Sequence, residues 1–161
     1  MRTYMMLALV AAVSSVSIGS HELLARSSPA SLAFVGDAVF ELAVRERLLW
    51  PPAKIADLRS CVQRVVCAET QDVLLKRLIA DFGLTDDEHE WLRRGRNASG
   101  RGPRRVDRAT YQSASALETL IGVLHLTDRE RLQSLLGFVL DSVEPILEGK
   151  DQPSDAQWTT G

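Results

Sequence analysis

The chain has 161 residues, 45% of them hydrophobic and 25% charged, which suits one globular domain and argues against a disordered chain. Its net charge of −2 does not by itself indicate a nucleic-acid-binding protein. The two cysteines, Cys61 and Cys67, have neither the number nor the spacing of a disulfide framework or a zinc site.

The N-terminal segment 1–20 is an apolar extension that the sequence leaves open to several interpretations. Met1 and Arg2 precede an apolar run from Tyr4 to Val13, and small residues follow as far as Ser20. This order is typical of a targeting segment, although an extra extension or a first helix has the same composition. The apolar run is too short to span a membrane comfortably.

The rest of the chain is predicted to be all-helical, because glycine and proline are few and apolar residues recur at spacings of three and four. Capping boxes at Thr85 to Glu88 and at Thr127 to Glu130 are predicted to begin two of the helices. Gly95, Gly100 and Gly102 predict a loop that carries the neighbouring arginines. The predicted helices are 31–49, 53–68, 69–82, 85–93, 110–126 and 128–147.

Three regions follow from this pattern, namely the extension 1–20, a domain at 21–148 and a polar tail at 149–161. The tail is expected to be flexible, because polar termini without packing partners seldom order. One helical domain is therefore predicted to carry the function.

A basic strip lies between Arg93 and Arg108, where seven arginines accompany one acidic residue. The strip has a local charge of +6, while the remainder of the chain carries −8. Such a distribution suits a protein that contacts phosphates in one place and holds cations in another. A solvated loop with no ligand is the alternative.

Asp37 is an acidic residue within the apolar segment LAFVGDAVFEL. Glu41 follows four positions later, so both carboxylates lie near one helix face, where they repel by a few tenths of a kcal/mol. A bound cation would reverse the sign of that interaction, and Gly36 would let a ligand or a second backbone approach. Alternatively, the two carboxylates face water or pair with Arg45, and spacing alone favours this alternative.

Glu118 is the second candidate, within the small and apolar segment SASALETLIG. The small residues would let this helix pack closely against a neighbour. If the neighbour is the helix of Asp37, the two carboxylates can share a hard cation such as Mg²⁺, which prefers oxygen ligands and keeps several waters. An exposed glutamate is the alternative, since that is the usual environment of this residue type.

Three segments together resemble one family. LAFVGDAVFEL resembles the signature helix of the ribonuclease III superfamily, SASALETLIGVLHL its second catalytic helix, and LRRGRNASGRGPRR the arginine- and asparagine-containing loop of the Mini-ribonuclease III branch. Their order and spacing agree with that branch over about residues 23–140. Full-length ribonuclease III carries acidic residues where this chain has Ala30, Ala33 and Ser115, and the Mini branch lacks them as well.

The resemblance implies an all-α, ribonuclease III endonuclease-domain-like helical bundle that acts as a homodimer and has no double-stranded-RNA-binding domain. The implied activity is metal-dependent cleavage of double-stranded RNA, such as structured precursor ribosomal RNA. A metal-activated water would attack the phosphate, leaving 5′-phosphate and 3′-hydroxyl ends. The alternative is a non-catalytic dimeric RNA-binding or ribosome-associated scaffold of the same fold.

The resemblance also assigns roles to residues. Asp37 and Glu118 would be the catalytic carboxylates that hold Mg²⁺. Glu41 and Ser115 would support them without binding the metal directly. No membrane partner is expected, and the location would be the bacterial cytoplasm or a plastid. The residues expected to contact RNA are Arg94, Arg96, Asn97, Arg101, Arg104 and Arg105.

Overall fold

A computed structural model describes residues 19–100 and 102–147, which form eight α-helices and no β-strand. The predicted all-α class is confirmed. Nearly all of the apolar extension, the polar tail from Gly149 onward, and Arg101 lie outside the described residues. No helix in the described ranges is long and apolar enough to cross a membrane. The helices are α1 (Ser20–Arg26), α2 (Pro29–Arg47), α3 (Ile55–Val66), α4 (Ala68–Asp81), α5 (Asp86–Ala98), α6 (Arg108–Thr127), α7 (Arg129–Asp141) and α8 (Val143–Leu147).

Helix α6 is the centre of the bundle, and α2, α4 and α5 pack around it. It is apolar or small on most of its circumference, which is the composition of a helix surrounded by others. Its buried residues run almost without interruption from Ser113 to Leu124. Phe40 of α2, Leu74 of α4 and Leu135 of α7 are fully buried against this core.

Two glycines allow α2 and α6 to cross with their backbones in contact. A Cβ atom on Gly36 would overlap the carbonyl oxygen of Glu118, and one on Gly122 would overlap the carbonyl oxygen of Leu32. Only a residue without a side chain permits such an approach. The crossing therefore places Asp37, the residue after Gly36, beside Glu118.

Helix α5 is longer than the sequence predicted, because it continues to Ala98 instead of ending at Arg93. Gly95 remains helical since it packs on α6, where a Cβ atom would lie 2.5 Å from the hydroxyl oxygen of Thr119. Packing against α6 outweighs the weak helix preference of glycine. The prediction of a loop was therefore wrong for three of the arginine-strip residues, which are helical: Arg94, Arg96 and Asn97.

One of the two predicted capping boxes is confirmed. The Thr85 hydroxyl accepts a hydrogen bond from the Glu88 N–H at 3.2 Å, and the Glu88 carboxylate accepts one from the Thr85 N–H at 2.8 Å. The second prediction was wrong, because Asp128 caps α7 while Thr127 is the last residue of α6. The Thr127 hydroxyl donates a hydrogen bond to the Val123 carbonyl at 2.8 Å, so it is not available to cap α7.

The predicted last helix, 128–147, is interrupted at Ser142. The Ser142 N–H bonds to the Val139 carbonyl at 3.1 Å, three residues back, which tightens the turn at the end of α7. The Ser142 hydroxyl also donates to the Phe138 carbonyl at 3.1 Å. The segment is therefore two helices, and the short α8 begins at Val143.

Candidate active site

A cavity of about 240 Å³ lies between α2, α5 and α6. It brings together Asp37 from α2 with Ser115 and Glu118 from α6, which are three of the residues that the sequence selected. Ser99 and Gly100, just after α5, form part of its wall. The cavity is therefore bordered by the beginning of the arginine-bearing loop.

The pKa values of the two carboxylates in this cavity are raised, although Asp37 is an exposed residue and Glu118 is half-buried. Burial, and after it the negative charge of Asp37, raise the pKa of Glu118 to about 7. Burial also raises the pKa of Asp37, with the charge of Glu41 as a second cause. Low-dielectric surroundings and neighbouring like charges both disfavour the charged form of a carboxylic acid. A cation bound between them would remove both penalties.

The donor set fits a hard cation. No group of three or more histidine, cysteine, aspartate or glutamate side chains that could hold a metal occurs among residues 19–100 and 102–147. Mg²⁺ does not require such a group, because it keeps several waters and is held by one or two carboxylates together with substrate phosphates. Asp37 and Glu118 offer only oxygen atoms, which Mg²⁺ prefers and soft metals do not.

The two residues expected to support the carboxylates lie in different places. Ser115 is buried and lines the cavity one helical turn before Glu118. Glu41 accepts a hydrogen bond from Arg45 at 2.6 Å and lines a groove between α2 and α3. The interpretation that paired Glu41 with Arg45 therefore describes its contact, although its charge still acts on Asp37.

The predicted RNA contacts that the structure describes are all exposed, and one of them is also paired. Arg94 donates to the Glu90 carboxylate at 2.9 Å and lies over the Trp91 ring, 4.8 Å from the ring centroid. Four others are exposed, two on α5 and two on the loop before α6: Arg96, Asn97, Arg104 and Arg105. A phosphate backbone can reach all five side chains, and at Arg94 it would compete with an exposed ion pair.

Two residues at the site were missed by the sequence reasoning. Tyr111 lines the cavity, and its ring lies against the backbone of Gly102, where a Cβ atom would be 2.5 Å from a ring carbon. Gln71 of α4 donates a hydrogen bond to the Glu118 carboxylate at 3.2 Å. Gln71 could have been found from its position in the helical pattern. It is a polar residue at the spacing of the apolar stripe that continues through Leu74, Leu75 and Leu78.

The ribonuclease III domain family matches residues 30–129, which contain both carboxylates and the whole basic strip. The chain therefore belongs to the ribonuclease III domain family and is an endoribonuclease. Its relatives include Mini-ribonuclease 3 proteins, so the resemblance to that branch is confirmed. These comparisons favour the enzyme over the non-catalytic scaffold.

Three of the similar proteins illustrate the extent of the match. Mini-ribonuclease 3 of Synechocystis is 49% identical over 112 residues, which cover 70% of this chain and 77% of the relative. Mini-ribonuclease 3 of Thermosynechococcus vestitus is 36% identical over 143 residues, covering 86% and 91% respectively. The crystal structure of a Fusobacterium nucleatum protein superimposes with a TM-score of 0.65 at 30% identity, covering 73% of this chain and 94% of that protein.

Proposed function

We propose that this endoribonuclease cleaves double-stranded RNA with Mg²⁺ held by Asp37 and Glu118. The observation that carries the proposal is the pair of carboxylates from two crossing helices in one cavity. Each has a raised pKa caused by burial and by a neighbouring carboxylate. A divalent cation is a partner that would stabilise the charged forms of such a pair.

A Mg²⁺ ion bound here would supply activation of a water and neutralisation of the charge that develops on the phosphate. Asp37 and Glu118 would hold the ion from two rigid helices, and the Ser115 hydroxyl would orient a water beside it. Attack of water on phosphorus with release of the 3′ oxygen leaves 5′-phosphate and 3′-hydroxyl ends. The exposed arginines would hold the RNA backbone, because duplex RNA is recognised mostly through shape, phosphates and 2′-hydroxyls.

The test of this activity compares the wild type with Asp37→Asn on duplex RNA in the presence of Mg²⁺. We expect the cleavage rate to fall by about a thousandfold, since the cation contributes several kcal/mol to such reactions. Asp87→Asn, an exposed acid in the first turn of α5, is the matched control and should cleave normally. Equal cleavage by wild type and Asp37→Asn would contradict the proposal.

We also propose that the protein acts as a homodimer built on α2 and the segment after it. Large apolar side chains are exposed there, with Phe34 81%, Trp50 78% and Ile55 64% accessible. A groove of about 550 Å³ between α2 and α3 adds Leu48 and Leu58 to this surface. Exposed apolar patches of this kind mark association sites. A two-fold copy would bury the patch and present one active site to each RNA strand.

Sedimentation velocity tests the dimer. Leu42, 56% exposed on α2, is changed to aspartate, and a charge in a buried apolar interface should shift the protein from dimer to monomer. Ile79→Asp is the control, because Ile79 is 43% exposed on α4, away from α2. A wild type that sediments as a monomer would refute the dimer, and a Leu42→Asp variant that remains dimeric would refute its placement on α2.

The natural substrate that we propose is a structured precursor RNA such as ribosomal RNA, and Mg²⁺ is the proposed cofactor. The likeness to cyanobacterial and other bacterial Mini-ribonuclease 3 proteins supports a ribonuclease activity, and the precursor RNA and Mg²⁺ are what the resemblance to that branch implies. The proposed location is the bacterial cytoplasm or, in a eukaryote, a plastid, without a membrane partner.

A further inference from the structure

Gln71 is a polar side chain in the core, 2% exposed, between the α3–α4 connection and Glu118. Its Nε2 donates to the Val66 carbonyl at 3.0 Å and to Glu118 Oε1 at 3.2 Å. Its own Oε1 is buried and has no hydrogen-bond partner in the described part of the chain. Both N–H donors of the amide therefore form hydrogen bonds, whereas its acceptor oxygen is left unsatisfied.

The orientation of this amide is determined by its neighbours. Val66 presents a carbonyl oxygen and Glu118 a carboxylate, so the donor atom of Gln71 must face both of them. The reversed orientation would place oxygen against oxygen at two contacts. Because Val66 is the last residue of α3, its carbonyl anchors the amide to the end of a helix.

Retaining this amide costs stability. A buried acceptor without a hydrogen bond is unfavourable, and an apolar residue would continue the stripe of Leu74, Leu75 and Leu78 without that cost. A buried polar atom left unsatisfied calls for an explanation, and a functional role is one of those available. The group that Gln71 contacts, Glu118, indicates what that role is.

We propose that Gln71 is a positioning residue for Glu118, an inference that rests on the proposed metal-dependent function. By donating to Oε1, the amide holds the carboxylate in one orientation and leaves Oε2 to the cation. Groups that orient a metal-binding side chain in this way contribute to metal affinity, because the side chain is already ordered before the metal binds. Helix α4 thus contributes to a site whose carboxylates belong to α2 and α6.

The test measures binding of Mn²⁺, as a probe for Mg²⁺, by isothermal titration calorimetry without RNA. In Gln71→Leu and Gln71→Met, which keep the volume but remove the amide, we expect the Kd for Mn²⁺ to rise about 10- to 100-fold. Two substitutions are used so that the comparison rests on a variant shown to be folded by circular dichroism. Wild type and Asp37→Asn define full and lost binding.

Thr70→Val is the matched control, since Thr70 is 4% exposed on the same helix and donates to the Arg64 carbonyl at 2.7 Å. This change removes a buried hydrogen bond at the same α3–α4 connection, so it should lower the melting temperature and leave the Kd unchanged. A purely structural role for Gln71 predicts the same result for Gln71→Leu.

The outcomes separate the two proposals. If folded Gln71 variants bind Mn²⁺ as the wild type does while Asp37→Asn does not bind it, the inference about Gln71 fails and the proposed function stands. If the wild type shows no binding that Asp37→Asn removes, both proposals fail. A higher Kd for Mn²⁺ in the Gln71 variants, with the Kd of Thr70→Val unchanged, supports the positioning role.

Discussion

Asp37 and Glu41 are one helical turn apart, yet they have different environments. Asp37 lines the cavity beside Glu118, whereas Glu41 is paired with Arg45 and lines the α2–α3 groove. The pair with Arg45 is exposed, so it contributes little to stability. At the scale of single residues, the site is therefore the pair of carboxylates that share one cavity, Asp37 and Glu118.

Glu118→Gln is expected to change how stability depends on pH. Because the folded pKa of about 7 lies above the ordinary 4.5, the folded protein retains a proton that the unfolded chain releases. Stability therefore falls as pH rises from about 4.5 to about 7, and the substitution abolishes this loss. At pH 8 without divalent ions the variant should be more stable than the wild type by up to about 3 kcal/mol.

Urea unfolding at pH 5 and pH 8 measures this difference. Glu130→Gln, at an exposed position near the start of α7, is the control and should follow the wild type at both pH values. A Glu118→Gln variant that parallels the wild type at both pH values would show that burial does not destabilise the charged form of Glu118.

At the scale of helices, the crossing of α2 and α6 determines whether a site exists. The two backbones touch at Gly36 and Gly122, where no Cβ atom fits. Asp37 and Glu118 belong to these touching turns, so the distance between their helices is fixed by glycine packing. The same contacts that build the core therefore bring the two carboxylates together.

Gly36→Ala is expected to destabilise the protein by about 3 kcal/mol or more, because the added Cβ meets backbone atoms that cannot move aside. It should also weaken Mn²⁺ binding by separating the carboxylates. Gly137→Ala on α7, where a Cβ would meet nothing within 4 Å, should instead stabilise by up to about 1 kcal/mol. Thermal and chemical unfolding measure the stability of both variants. Similar effects of the two substitutions on stability would argue against the close crossing of α2 and α6.

At the scale of the whole molecule, charge is segregated. The strip between Arg93 and Arg108 is basic, while the remainder of the chain carries a net charge of −8. Glu90, three residues before the strip, neutralises part of this charge, since Arg93 and Arg94 both pair with it. The exposed arginines nearer to the loop are therefore the better candidates for RNA contact.

Replacing Arg104 and Arg105 together by alanine is expected to weaken RNA binding and to flatten its dependence on salt. Each lost phosphate contact should reduce the slope of log K against log salt by roughly 0.7–0.9. Arg129→Ala, beyond the far end of the 20-residue helix α6, should leave the slope unchanged. Binding of duplex RNA to a cleavage-deficient protein across a salt series measures this, and an unchanged slope for the double variant would exclude the loop as a contact.

Local patterns in the sequence were sufficient for much of the fold. The helical class and the capping box at Thr85 depend on periodicity and on residue type within a few positions, whereas the selection of Asp37 and Glu118 rested on the resemblance of their segments to the ribonuclease III family. Three boundaries failed where a distant or competing contact decided the outcome, one of them the break at Ser142 between α7 and α8. Gly95 is helical because it packs on Thr119, and Thr127 is no cap because its hydroxyl bonds to Val123.

The sequence by itself determined that this protein is helical, that two acidic residues interrupt apolar helices, and that a basic strip accompanies them. Only the tertiary structure decided that the two acids share a cavity, that Glu41 pairs with Arg45, and that Gln71 donates a hydrogen bond to Glu118. The physical reason is that helix formation depends on neighbours along the chain. The pKa of about 7 at Glu118, in contrast, arises from burial and from the charge of Asp37, which is 81 positions away and is brought near only by packing.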